Sequence, residues 1–146
     1  MPRVGLFTGS FDPFTIGHDD IVRRTLPLFD KLVVGVGVNA GKSAMLSAED
    51  RVAAIRRVYA DEPRVEVVAY DDLTADLARR VGARYVVRGV RSVKDFEYER
   101  DMADLNRRLG ALETILIMAK PEYAAISSSA ARELLRFGKD ISWMLP

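Results

Sequence analysis

Five short runs of aliphatic and β-branched residues punctuate this chain: RVGLFTG at 3–9, KLVVGVGV at 31–38, RVEVVAY at 64–70, RYVVRG at 84–89 and TILIMA at 114–119. After each comes a segment in which apolar residues recur at helical spacing, at 17–29, 48–59, 73–81, 95–109 and 128–137. Runs that are apolar throughout predict strands covered on both faces, and strands separated by helices predict parallel pairing through right-handed crossovers. The pattern therefore predicts an α/β fold, a doubly wound parallel five-stranded sheet of Rossmann-like type with helices on both faces. Some element ends are legible as well. Ser47 with Asp50 three residues on has the form of a capping box, and Gly138 stands where the last helix should close. Pro27 falls inside the first helical segment, where its missing N–H predicts a kink or an early end near Thr25.

With 146 residues, 49% of them hydrophobic, the chain has the size of one compact domain over 1–146. No Ser/Gly linker, repeat or low-complexity tract divides it. The 22 Lys and Arg nearly balance the 21 Asp and Glu, so no global field advertises a nucleic acid or a membrane surface, and an anion site must be local. There is no cysteine, which excludes disulfides, thiolate metal sites and a cysteine nucleophile. With no charged-then-apolar leader and no run near the roughly 20 apolar residues of a membrane span, the expected setting is the cytoplasm, without nucleic acid or membrane as partner.

Open α/β sheets bind ligands in the crevice beyond the carboxyl ends of their strands. The segments at those ends are Gly9–Ser10, Asn39–Lys42, Asp72–Thr74, Arg88–Arg91 and Ser127–Ser129. Loops of this kind are commonly polar. Their shared character here, cationic and donor-rich, favours a site for several phosphate groups. In FTGSFDPFTIGH (7–18), Gly9 and Gly17 bracket a loop running into a helix N-terminus, where close backbone approach and free N–H groups suit an anion. His18, the one histidine of the chain, falls in that first turn. An isolated histidine is usually an ordinary surface residue; the Gly-His pair at this junction shifts the balance to function. The spacing matches neither the P-loop nor the dinucleotide fingerprint, and a zinc site would need a second histidine or a cysteine. YVVRGVR sets Arg88 and Arg91 around a glycine as two forks suited to oxygen anions. Lys42 taken alone is an ordinary loop lysine. In ISSS, one hydroxyl suffices for an N-cap, which leaves a phosphate role for the others. VKDFEYERDMADLNRRLG (93–110) should be a solvated amphipathic helix with close opposite-charge pairs, from which Glu99 could reach over the crevice. Packing is the default for Trp143.

GSFDPFTIGH, RGVR, DFEYE and ISSS, in that order over Arg3–Pro146, resemble the bacterial phosphopantetheine adenylyltransferase family, in the nucleotidyltransferase superfamily marked by a His/Thr-x-Gly-His signature. The resemblance implies transfer of AMP from ATP to 4'-phosphopantetheine with Mg²⁺, giving dephospho-coenzyme A and pyrophosphate, the penultimate step of coenzyme A synthesis. It implies a homohexamer built as a dimer of trimers. Residue by residue, it implies catalytic roles for Ser10, His18, Lys42 and Arg91, and acceptor binding by Ser10, Lys42, Thr74 and Arg88. It implies ATP binding by Ser10, Phe11, His18, Gly89, Val90, Arg91 and Glu99 together with Tyr123, Ala124, Ala125, Ile126, Ser127, Ser128 and Ser129. No residue is implied as a metal ligand. Thr8, Ala124 and Ala125 depart from the residues frequent in that family. Two other readings stay open on the residues alone: a superfamily transferase using another phosphorylated acceptor or CTP, and a nucleotide-binding module without turnover that senses coenzyme A.

Overall fold

The computed structural model describes residues 1–39, 41 and 43–146. Its strands are β1 (Val4–Gly9), β2 (Lys31–Gly37), β3 (Val65–Tyr70), β4 (Tyr85–Val90) and β5 (Glu113–Met118). The α-helices among the described residues are α1 (Ile16–Thr25), α2 (Ala48–Val58), α3 (Thr74–Val81), α4 (Val93–Gly110) and α5 (Ser128–Arg136). All strands join one sheet in the order β3-β2-β1-β4-β5, parallel at every pairing. After β3 the chain crosses over β1 to start the other half of the sheet. The connections leaving β1 and β4 thus diverge, which opens a crevice at their carboxyl ends.

The sheet is covered on both faces, as its uninterrupted apolar runs require. On one face Phe7, Leu32, Val34, Val36 and Val87 meet Ile21 and Val22 of α1 and Val52 and Ile55 of α2. On the other, Val4, Leu6, Val33 and Val86 meet Ala75, Leu77 and Ala78 of α3. Neighbours such as Val33 and Val34 go to opposite layers because successive strand side chains alternate. At Gly5 a Cβ would come within 2.6 Å of the Phe29 ring, so β1 carries glycine where that ring presses on the strand. Among the described residues no helix is long and apolar enough to cross a membrane.

The element ends follow local chemistry. α1 stops at Thr25, and Pro27 lies in the 3₁₀ turn Leu26–Leu28 that follows, as its missing N–H demands. Gly138 takes φ +71° and Lys139 N–H reaches back to the Leu134 carbonyl at 2.9 Å, a left-handed close to α5. Ser47 Oγ accepts Asp50 N–H at 3.1 Å and caps α2. The reciprocal box is found at α1 instead, between Thr15 and His18. α4 begins two residues before its periodicity suggests, because Ser92 Oγ accepts Asp95 N–H at 3.1 Å and nucleates the first turn. Trp143 differs from expectation: its side chain is mostly exposed, with Nε1 donating to the Asp140 carbonyl at 3.2 Å.

Candidate functional site

The loop from β1 to α1 is held in one shape by buried contacts. Phe11 has φ +49°, a left-handed conformation unusual for a bulky residue, and its ring is buried against Phe7 and Phe14 at centroid distances of 5.2 and 5.3 Å. The Asp12 carboxylate, also buried, accepts the N–H groups of Met45 and Leu46 at 2.7 and 2.8 Å, tying this loop to the segment that enters α2.

Thr15 then caps α1, and His18 completes the cap from the third helical position. Nδ1 of His18 accepts the Thr15 backbone N–H at 2.9 Å. An accepting Nδ1 places the proton of a neutral imidazole on Nε2. Rings of Phe7, Phe11 and Phe14 surround the imidazole at centroid distances of 6.3, 5.0 and 5.4 Å. Burial first, and then the nearby Arg88 and Arg91 guanidiniums, push the His18 pKa from 6.5 down to about 3. At neutral pH the side chain is therefore an uncharged N–H donor, oriented by its cap and its aromatic box.

Two cavities open at the carboxyl edge of the sheet and meet at the end of β1. The first, about 380 Å³, is walled by the loop after β1, α1, the end of β4 and the start of α5. It collects Ser10, Phe11, His18, Gly89, Arg91, Glu99, Tyr123, Ile126 and Ser127–Ser129 from the expected nucleotide set. The second, about 660 Å³, lies toward β2, β3 and α4 and includes Asn39, Thr74 and Asn106. Thr8, Gly9, Ser10, Arg88, Tyr98 and Glu99 face both. Val90, Ala124 and Ala125 line neither cavity, and Lys42 lies outside the described residues.

Arg88 sits at this junction in an unexpected state. Instead of an open fork, it is bidentate on Glu99, with Nε and Nη2 each 2.8 Å from a carboxylate oxygen. Its Nη1 donates to the Thr8 carbonyl and lies 3.2 Å from the Thr8 hydroxyl. α4 carries the buried Glu99 over the end of β4, and that carboxylate needs a cation. Arg91 is more open: its backbone N–H and Nε both lean on Asp95. The triple serine divides its labour. Ser127 caps α5 by accepting Ala130 N–H at 3.0 Å, Ser128 donates to the Pro13 carbonyl at 2.7 Å, and Ser129 Oγ accepts from Arg132 at 3.2 Å. The start of α5 is thus pinned against the β1–α1 loop, with the N–H groups of Ser128 and Ser129, unpaired among the described residues, at the first cavity.

Arg132 is a lining residue that sequence reading missed. Its other guanidinium nitrogen donates to the Asp12 carbonyl at 2.8 Å. The signal was present, since Arg132 falls one helical turn beyond Ser129 and Ser128 and so shares their face. Among the described residues no group of three or more His, Cys, Asp or Glu side chains converges as a metal cage would. Glu99 and Asp95 are engaged by arginines, so the donors here suit a divalent cation carried by a polyphosphate better than one held by the protein alone.

A parallel sheet with cationic, hydroxyl-rich loops at its topological switch is an anion-binding architecture, and a family model described as cytidylyltransferase-like, matching residues 6–134, sets it in the nucleotidyltransferase class. Relatives narrow this further. The phosphopantetheine adenylyltransferase of Bacteroides fragilis is 51% identical over 144 residues, covering 99% of this chain and 96% of that protein. That of Porphyromonas gingivalis is 50% identical over 99% of this chain and 94% of its own length. That of Leuconostoc citreum is 50% identical over 94% of this chain and 87% of its own. The chain belongs to the phosphopantetheine adenylyltransferase family.

Proposed function

We propose that this protein transfers the adenylyl group of ATP to 4'-phosphopantetheine, giving dephospho-coenzyme A and pyrophosphate. The observation that carries the reading is the pair of cavities sharing Ser10. In support, Phe11, His18, Gly89, Arg91, Tyr123, Ile126 and Ser127–Ser129 of the residues expected at ATP line the first cavity alone, Thr74 of those expected at the acceptor lines the second alone, and Ser10, Arg88 and Glu99 face both. ATP occupies the cavity of His18, Arg91 and α5; the acceptor occupies the cavity of Thr74 and Asn106. One domain, 1–146, holds both.

The reaction joins two anions. An acceptor phosphate oxygen attacks the α-phosphorus in line, the bond from that phosphorus to the β-bridging oxygen breaks, and pyrophosphate leaves. The acceptor phosphate has a second pKa near ~6, so at neutral pH it is largely dianionic and requires no general base. What the protein supplies is alignment and donors for growing negative charge. His18 Nε2–H, Arg91, the N-terminus of α5 and the hydroxyl of Ser10 serve in that way. Arg88, with most of its donors taken, offers its remaining charge to the acceptor phosphate and keeps Glu99 in place at the wall between the sites. Mg²⁺ enters as part of the nucleotide substrate, where it neutralises polyphosphate charge.

The cytoplasm as setting and the homohexamer, a dimer of trimers, belong to the same proposal. Absence of cysteine supports the first. Phe96, Leu105 and Leu109, apolar side chains left exposed on α4, support self-association. Light scattering should give a mass near six times the 16.3 kDa chain.

The deciding assay mixes protein, ATP, Mg²⁺ and 4'-phosphopantetheine and follows pyrophosphate together with dephospho-coenzyme A by mass. Product that requires both substrates supports the reaction. Nucleotide binding without product would move the assignment to another acceptor or to a sensor.

A further inference from the structure

Two buried charges stand behind the site and line neither cavity. Arg51, on α2, is 4% exposed, and Asp12, after β1, is 5% exposed. Among the described residues Arg51 forms no salt bridge. It spends its donors on three backbone carbonyls: Nη1 reaches Ser10 at 2.8 Å and Gly37 at 3.1 Å, and Nε reaches Leu46 at 3.1 Å. Asp12 grips the same segment from the other side through the N–H groups of Met45 and Leu46. Leu46 is therefore held by its amide to one buried charge and by its carbonyl to the other.

For the fold alone this arrangement is expensive. Burying an ion has a desolvation cost, and well-packed apolar residues often replace buried charges without loss of stability. What apolar residues cannot do is fix carbonyls in place. Two of the three carbonyls that Arg51 fixes are those of Ser10, which faces both cavities, and of Gly37, which faces the second. Asp12 extends the connection to the first cavity, since its own carbonyl receives Arg132.

We propose that Arg51 and Asp12 form a positioning clamp for the transfer reaction, setting Ser10 between the two substrates by fixing the β1–α1 loop against the end of β2 and the segment entering α2. The proposal rests on the transferase function above. Arg51 touches no substrate. It acts through Ser10, so its effect must depend on the Ser10 side chain. Lysine at 51 keeps a charge but has no planar fork able to hold several carbonyls at once.

The test is a double-mutant cycle of Arg51→Lys with Ser10→Ala, read on kcat and on affinity for a non-hydrolysable ATP analogue. A misplacement of order 1 Å can lower a rate by about 10²-fold. Arg51→Lys is expected to lower kcat by about 10- to 100-fold when Ser10 is present, and by less than about threefold in the Ser10→Ala protein. Equal fold-losses in both backgrounds would overturn the clamp and leave Arg51 a structural residue. If Arg51→Lys does not fold, judged by circular dichroism, Asp12→Asn, which keeps one of the two acceptor oxygens, takes its place in the same cycle with the same two outcomes. If the wild-type protein binds the analogue but makes no dephospho-coenzyme A, the transferase assignment fails. The clamp is then decided by the affinity cycle, where coupling supports it and additivity overturns it.

Discussion

Nδ1 of His18 accepts the backbone N–H of Thr15 at 2.9 Å, so one bond both caps α1 and leaves Nε2 as the donor of a side chain that lines the first cavity. A donor aimed where charge accumulates matters more in the transition state than in the ground state. His18→Ala should therefore lower kcat by about 10²- to 10³-fold, as loss of one oxyanion donor does elsewhere, with ATP KM changed less than about tenfold. Steady-state kinetics with both substrates varied check this. Unchanged kcat with a raised KM would move His18 to simple binding.

The same imidazole should leave a mark on acid stability. Its folded pKa of about 3 lies below the ordinary 6.5, so between these values the unfolded chain binds a proton that the folded chain does not. The stability it contributes is complete above pH 6.5 and is lost as pH falls toward 3. His18→Gln removes this titration, so the gap in melting temperature between wild type and variant should shift in favour of the variant from pH 7 to pH 4. Nucleotide phosphates at Nε2 oppose the depression and should raise the His18 pKa, visible in the NMR shifts of the single histidine.

Arg88 and Glu99 are predicted to behave as one unit. Arg88→Ala leaves a buried carboxylate without its cation and should cost about 3 kcal/mol in urea unfolding. Glu99→Gln should cost less, because Arg88 stays partly open to solvent in the cleft. The double change Arg88→Met with Glu99→Leu should recover much of the stability and none of the activity. Activity returning with stability would show that the pair serves the fold alone.

Arg132 lines the first cavity and not the second. Arg132→Ala should raise ATP KM by about tenfold, the loss of one charge-assisted contact, with acceptor KM within about twofold. A change confined to the acceptor would invert the allocation of the two cavities. Isothermal titration with each ligand separately distinguishes these results.

Much of this architecture can be read before any coordinates. The apolar runs predict a parallel sheet because a strand buried on both faces has no polar side to show, and each of the five emerges as a strand within a residue or so of its expected ends. Pro27 marks the end of α1 for a reason contained in its own ring. The residues of FTGSFDPFTIGH, RGVR and ISSS are legible as a site because strand ends in such a fold share one edge. Other parts were hidden. The donors of Arg88 are engaged by a residue eleven positions on, through the path of α4, and Arg51 looks like one more charge in a polar first turn until the segment 45–46 folds over it.

By itself the sequence determined the alternation of elements, the parallel pairing, the edge on which chemistry gathers and the family to which the chain belongs, since all of these depend on residue type and spacing. Only the tertiary structure decided the sheet order, the division of the crevice into two cavities meeting at Ser10, the neutral donor state of His18 and the engagement of Arg88 by Glu99. Those outcomes depend on which loops come to lie side by side and how far water is excluded between them. Burial and proximity are properties of the assembled chain, and no single segment carries them.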